Sequence, residues 1–147
     1  MRDIACPRVL IVEDEQCIRD VLVELFDVEG TRVDAAATLE IATATLGRCA
    51  YDLIVTDIRL GGRRDGGLQV MAAAGVLSPD ATVIALSAFP DDDTRRASVR
   101  LGAVHFLEKP VSLDLLSELA AGAGVSTAMR PQSVADGSLA TEGTLAM

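Results

Sequence analysis

Five short apolar runs recur along the chain, and each is followed by a stretch whose apolar residues return every three or four positions. The runs are rich in β-branched side chains and too short for helices, which favours strands. They occupy residues 9–12, 31–35, 53–55, 82–86 and 103–107. The stretches between them have the spacing of amphipathic helices, as in Ile18, Leu22 and Leu25. The pattern predicts five consecutive strand–helix units.

Capping and turn residues mark the ends of the predicted helices. Thr38 and Ser112 stand at N-cap positions, and residues 91–93 place three acids where a helix begins. Gly30 and Gly102 stand where helices end. Units of this kind join parallel strands through right-handed crossovers. We therefore predict an α/β fold, a doubly wound five-stranded parallel sheet with helices on both faces.

Length and composition fit one globular domain. The 147 residues are 50% hydrophobic with a mean hydropathy of +0.34, which is ample for a packed core, and the absence of Trp makes that core aliphatic. From residue 126 onward the composition shifts to small and polar residues without an apolar period. We predict a domain over residues 1–125 and a disordered C-terminal tail over residues 126–147.

Charge and apolar run lengths bear on partners and location. The formal charge of -9 argues against a nucleic-acid partner, because such surfaces need clustered Lys and Arg. No apolar run is long enough to cross a bilayer or to form a signal-peptide core, so we expect no membrane association and a cytoplasmic location. Cys6, Cys17 and Cys49 are odd in number, lack metal-site spacing and adjoin apolar segments, which predicts buried, reduced thiols.

Chemically active side chains follow four of the five predicted strands. Glu13 and Asp14 follow the first strand, Asp57 the third, Ser87 the fourth and Lys109 the fifth. The carboxyl ends of parallel strands form the ligand-binding crevice of such a sheet. We therefore expect these five side chains to lie along one edge.

The five side chains together predict phosphoryl transfer to a carboxylate. Three carboxylates in one crevice repel one another unless a cation lies among them, and Mg²⁺ prefers oxygen ligands. Lys109 would neutralise one oxygen of a phosphoryl group while Ser87 donates to another, around an attacking Asp57. Taken singly, each residue has a simpler interpretation: Glu13 and Asp14 as caps of the first helix, Ser87 as a turn hydroxyl and Lys109 as a solvated cation.

The motifs around these residues are similar to those of the receiver domain of two-component response regulators. They are the acid pair after the first strand, TDIRL around Asp57, the later Asp65–Gly66, LSA around Ser87 and EKP around Lys109. The resemblance runs from about Val9 to Leu119. It implies a CheY-like, flavodoxin-like fold with strand order 2-1-3-4-5.

The resemblance also implies a role for each residue. Asp57 would be the phosphoacceptor, with Lys109 and Ser87 as its phosphoryl partners, and the Lys109–Pro110 peptide would be cis. Ser87 and Phe106 would form a conformational switch. The ligands implied for Mg²⁺ or Mn²⁺ are Glu13, Asp14, Asp57 and the backbone carbonyl of Arg59.

At the level of function, the resemblance implies a stand-alone response regulator in a two-component phosphorelay. The chain would take its phosphoryl group from a phosphohistidine of a sensor histidine kinase or a histidine phosphotransferase, and would switch or relay the signal through protein contacts. It would be a self-phosphorylating phosphoacceptor with slow autodephosphorylation rather than an enzyme, able to form a homodimer on phosphorylation. The sequence does not identify the downstream target.

The sequence departs from the common receiver pattern at two places. Glu13 stands where Asp is commoner, and its extra methylene is expected to make it reach a metal through water. Gly61 replaces a usual Pro, in a loop to Asp65 that is longer than the common form. Neither departure removes a chemical group.

Three alternatives share part of the pattern. An FMN-binding flavodoxin needs a Ser/Thr/Gly-rich phosphate loop after the first strand, where this chain has the acidic EDEQ. An aspartyl phosphatase of the dehalogenase type needs Asp-x-Asp at that place, and residues 13–15 offer one aspartate. A receiver-like module that signals by contact without phosphorylation is the third alternative, and the complete set of strand-end residues argues against it.

Overall fold

A computed structural model describes residues 6–129 of the chain, in which five strands alternate with five helices. The strands are β1 (Arg8–Val12), β2 (Arg32–Ala36), β3 (Leu53–Asp57), β4 (Thr82–Ser87) and β5 (Ala103–Glu108). The helices are α1 (Gln16–Phe26), α2 (Leu39–Leu46), α3 (Gly66–Leu77), α4 (Asp92–Arg100) and α5 (Leu113–Gly122). All neighbouring strands are parallel, in the order β2-β1-β3-β4-β5. The predicted doubly wound α/β sheet and its strand order are confirmed.

The core lies in two apolar layers, one on each face of the sheet. Successive residues of a strand point to opposite faces, so Leu10 and Val12 of β1 belong to the layer with α2 and α3. Val9 and Ile11 belong to the layer with α1 and α5. All five residues of β3 are buried, as a central strand covered on both faces requires. The end of β3 is therefore held firmly between its neighbours.

Side-chain caps fix the start of three helices. Thr38, Asp91 and Ser112 each accept a hydrogen bond from the backbone N–H three residues later, at 2.7 to 3.2 Å. Caps of this kind typically contribute on the order of 1 kcal/mol each. The predicted caps Thr38 and Ser112 are confirmed, and Asp91 is the residue among the three acids that caps α4.

The structure corrects the prediction for the cysteines. Cys6 and Cys17 are exposed and Cys49 is half-buried, and all three are free thiols. Cys17 lies on the outer side of α1, whose buried residues are Leu22, Leu25 and Phe26. Apolar neighbours in sequence thus did not decide whether a thiol faces the core, because adjacent residues of a helix point in different directions.

The last described residues pack against the domain. Val125 is buried, and the backbone N–H of Ala128 donates to the carbonyl oxygen of Leu25 at the end of α1, at 2.7 Å. The Thr127 hydroxyl is 3.0 Å from that of Ser117 on α5. The disordered tail was predicted from residue 126, and these contacts lie within it; residues 130–147 lie outside the described residues, where the disordered tail remains a prediction. Within residues 6–129, no helix combines the length and the apolar character that a membrane span requires.

Candidate functional site

The parallel register brings the strand-end residues to one edge of the sheet. Asp57 is the last residue of β3 and pairs with Leu86, next to Ser87 at the end of β4. Ser87 in turn pairs with Glu108 at the end of β5, immediately before Lys109. The strand predicted over residues 53–55 is longer in the structure and includes Asp57. All five predicted side chains lie at this edge.

Lys109 connects the two buried acids of the site. Its ammonium nitrogen is 2.7 Å from Oε1 of Glu13 and 3.1 Å from Oδ2 of Asp57. The Lys109 backbone N–H also donates to the Ser87 carbonyl oxygen at 2.9 Å, and the Lys109–Pro110 peptide is cis. Only 13% of the Lys109 side chain is exposed, so the solvated-cation interpretation is wrong.

The three acids differ in their surroundings. Glu13 is fully buried and its second oxygen accepts the Glu15 N–H at 3.2 Å, whereas Asp14 is exposed and accepts the Gly61 N–H at 2.9 Å. One carboxylate oxygen from each of Glu13, Asp14 and Asp57 lies within 4.8 Å of the others. The N-cap of α1 is Glu15, so Glu13 and Asp14 are not its cap residues.

Burial perturbs the titration of these groups. The pKa of Glu13 is raised to about 7: desolvation by burial is the main cause and the Asp57 charge adds to it, while the hydrogen bond from the Lys109 ammonium opposes both. Desolvation also raises the pKa of Asp57. The pKa of Lys109 is raised too: burial opposes this, but the carboxylates of Glu13 and Asp57 outweigh it. One ammonium therefore does not fully compensate the acids, and an additional cation with oxygen ligands fits the cluster.

Ser87 and Phe106 lie on adjacent strands but in different surroundings. The Ser87 side chain is buried at the site, and its oxygen accepts the Phe89 N–H at 3.2 Å. Phe106 on β5 is half-buried against the core layer of α2 and α3. The guanidinium of Arg95 on α4 lies 4.7 Å from its ring centroid. Phe106 therefore lies on the strand next to that of Ser87, two residues before the end of β5, and is in contact with α4.

Comparison with known proteins gives a match to the response regulator receiver domain over residues 9–121. The chain belongs to this family. Within the family's motifs, the side chains that the fold gathers at the carboxyl edge of the sheet are those of Glu13, Asp14, Asp57, Ser87 and Lys109.

Curated relatives of this receiver domain align with most of its chain. The alginate biosynthesis transcriptional regulatory protein AlgB of Pseudomonas aeruginosa is 37% identical over 114 residues, which are 78% of this chain and 25% of AlgB. The chain spans about a quarter of the length of the curated relatives it matches.

Two solved structures are similar to this receiver domain. A response regulator from Burkholderia pseudomallei with a phosphorylated aspartic acid, a calcium ion and citrate is 26% identical, with a TM-score of 0.69 over 92% of this chain and 72% of that one. The beryllofluoride-activated receiver domain dimer of NtrC4 is 31% identical, with a TM-score of 0.70 over 79% of this chain and 94% of that one.

The loop between β3 and α3 forms one wall of the receiver site. Gly61 and Gly62 have positive φ angles of 55° and 83°, and Leu60 and Arg63 exchange two backbone hydrogen bonds around them, at 3.0 and 2.8 Å. Glycine is favoured at such positions because it carries no Cβ. The departure at Gly61 thus produces a tight, hydrogen-bonded turn.

A cleft of about 370 Å³ opens above Asp57, and its lining includes residues that were not predicted from the sequence. Among them are Arg64 and Phe89. Gly67 was also missed: its N–H donates to the Ile58 carbonyl oxygen at 2.7 Å, which joins α3 directly to the end of β3. The paired glycines at the start of α3 were the sequence signal for this close approach.

Proposed function

We propose that Asp57 accepts a phosphoryl group from the phosphohistidine of a sensor histidine kinase or a histidine phosphotransferase. The observation that carries the proposal is the position of Lys109, bonded to both Glu13 and Asp57 beside the Ser87 hydroxyl. The similar response regulator from Burkholderia pseudomallei with a phosphorylated aspartic acid supports it. The chain would act as a self-phosphorylating phosphoacceptor with slow autodephosphorylation, in the cytoplasm, rather than as an enzyme.

In the transfer step, an Asp57 carboxylate oxygen forms a bond to phosphorus as the bond from phosphorus to the imidazole nitrogen breaks. The electron pair of the broken bond stays on the imidazole. Lys109 then neutralises one phosphoryl oxygen, and the Ser87 hydroxyl donates to another. Mg²⁺ or Mn²⁺, held by Glu13, Asp14, Asp57 and the Arg59 carbonyl, would supply charge neutralisation at the remaining oxygens.

The signal would leave the domain through Phe106 and α4. Movement of the Ser87 hydroxyl toward the phosphoryl oxygens would change the space beside Phe106, whose ring contacts Arg95 of α4. Among its nine residues α4 buries only Ser98, so little packing opposes its displacement. A homodimer of the phosphorylated form is part of the proposal, by analogy with the beryllofluoride-activated NtrC4 dimer.

Intact-mass analysis after incubation with acetyl phosphate and Mg²⁺ tests the assignment. The wild-type protein should gain one phosphoryl group, and Asp57→Asn should gain none. Asp65→Asn is the matched control, because Asp65 is an exposed acid whose side chain does not cap α3. Labelling of Asp57→Asn at the wild-type rate would overturn the assignment. No labelling of the wild type would favour a module that signals by contact alone.

A further inference from the structure

Three arginines on the loop between β3 and α3 have different surroundings. The Arg59 guanidinium lies 5.0 Å from the ring centroid of Phe89. Arg63 reaches the other way, to Glu40 on α2, at 3.9 Å. Arg64 lines the cleft above Asp57. Within residues 6–129 the Arg64 guanidinium makes no hydrogen bond or ion pair.

The turn at Gly61 and Gly62 explains why neighbouring arginines diverge. The backbone hydrogen bonds between Leu60 and Arg63 close a tight turn, and Arg64 follows directly where the chain leaves it toward α3. The direction in which Arg64 leaves the turn is thus set by backbone geometry. Its place in the cleft does not depend on an ion-pair partner.

Arg64 shares the cleft with Asp91, whose side chain caps α4. The Asp91 carboxylate accepts the Thr94 N–H at 2.7 Å, and that hydrogen bond lowers the pKa of Asp91. The positive charge of Arg64 lowers the same pKa further. Arg64, from the loop after β3, and Asp91, from the loop after β4, therefore both line the cleft above Asp57.

Arg64 offers a second positively charged side chain to an incoming phosphodonor. The Lys109 ammonium is shared between Glu13 and Asp57, so its charge is largely compensated before any phosphate arrives. A guanidinium presents paired N–H donors in a fixed fork that matches phosphate oxygens. We propose that Arg64 binds the phosphoryl oxygens of the phosphodonor during transfer to Asp57. This proposal rests on the phosphoacceptor function proposed above.

With a small acyl phosphate as donor, the step needs no further reactant. An Asp57 oxygen bonds to phosphorus, the bond from phosphorus to the carboxylate oxygen of the donor breaks, and the carboxylate leaves with the electron pair. Arg64 holds phosphoryl oxygens of the donor and neither gains nor loses a proton, because a guanidinium stays charged throughout the working pH range.

The test compares neighbouring substitutions of equal charge, Arg64→Ala and Arg63→Ala, with acetyl phosphate as donor. Arg64→Ala should lower the second-order rate constant of Asp57 phosphorylation about tenfold, the scale of one charge-assisted hydrogen bond. Arg63→Ala should change it less than about twofold, since a surface ion pair contributes little. The rate constant of Arg64→Lys should lie between those of the wild type and Arg64→Ala, because lysine keeps the positive charge but lacks the paired N–H donors of a guanidinium. Mg²⁺ affinity should be equal in all variants.

Equal rates for Arg64→Ala and Arg63→Ala would overturn the proposal. It would also fail if the difference vanished at about 1 M salt, where the Debye length is about 3 Å, because Arg64 would then act by long-range attraction alone. A parallel loss of Mg²⁺ affinity would place its effect at the metal instead. Failure of the proposed function gives another result: the wild-type protein itself would not be phosphorylated on Asp57.

Discussion

Gly67 joins the first turn of α3 to the acceptor strand, and we expect Gly67→Ala to damage both stability and phosphorylation. An added Cβ would lie 2.1 Å from the Asp57 carbonyl oxygen and 2.6 Å from the Ile58 Cα. Both are backbone atoms of a fully buried segment, so they cannot move aside as a flexible side chain would. Ordinary contact begins near 3.4 Å, so α3 must withdraw by about 1 Å, at the expense of the bond from Gly67 N–H to Ile58.

The expected loss in the free energy of unfolding is about 3 kcal/mol, the upper part of the range for overpacked cores. Gly75→Ala on the same helix is the matched control. Its added Cβ meets nothing within 4 Å, and the residue is exposed. That variant should gain about 0.5 to 1 kcal/mol, because alanine restricts the unfolded chain and favours the helix.

Urea unfolding monitored by circular dichroism measures both changes, and acetyl phosphate labelling measures the effect on Asp57. Gly67→Ala should also be phosphorylated more slowly than Gly75→Ala, because the shift occurs at the end of β3. If Gly67→Ala is as stable as the wild type, α3 does not approach β3 as closely as the structure shows and the reasoning is refuted.

Three further predictions concern pH, the switch and the C-terminal segment. Because the pKa of Glu13 is raised from 4.5 to about 7, the metal-free protein should lose stability as the pH rises through this interval, and its affinity for Mg²⁺ should increase. Urea unfolding in the presence of a chelator measures the first effect and Mg²⁺ titration the second. An Mg²⁺ affinity that does not change with pH would contradict the prediction. Beryllofluoride should shift the NMR resonances of Phe106 and α4 in the wild type but much less in Ser87→Ala; equal shifts in both would show that this hydroxyl does not couple the site to α4. Truncation after Val125 should lower the free energy of unfolding by about 1 to 2 kcal/mol relative to truncation after Met129. The shorter protein lacks the hydrogen bond from Ala128 to Leu25 and the packing of Met129. Equal urea midpoints for the two truncated proteins would refute this prediction.

The local sequence pattern was sufficient to predict the strands and helices and to predict which residues lie at the carboxyl edge of the sheet. The β-branched run of β3 is apolar on both faces, and the strand is buried on both faces. Positions directly after such strands share an edge because parallel strands all end on the same side. Glu13, Asp14 and Asp57 could therefore be assigned to one site before any distance was known.

The sequence pattern was less reliable for predicting which residues at the margins of an apolar helix face are buried. Val21 directly precedes the buried Leu22 in α1, yet it is 39% exposed, and the exposed Cys17 was expected to be buried. Helical spacing gives the direction of an apolar stripe, whereas its covered width depends on how closely the neighbouring sheet and helix approach.

What the sequence by itself determined is the order of the strands and helices and the set of groups available at the carboxyl edge. The tertiary structure decided which of those groups touch. Lys109 meets Glu13 across 96 positions of sequence, and local periodicity carries no information about such a contact. The place of Arg64 in the cleft, while Arg63 turns away, follows from the conformation of one turn. The lack of space for a Cβ at Gly67 follows from the short distance between α3 and the end of β3. Charge and close packing act through distances in space, and these exist only once the sheet and its helices are assembled.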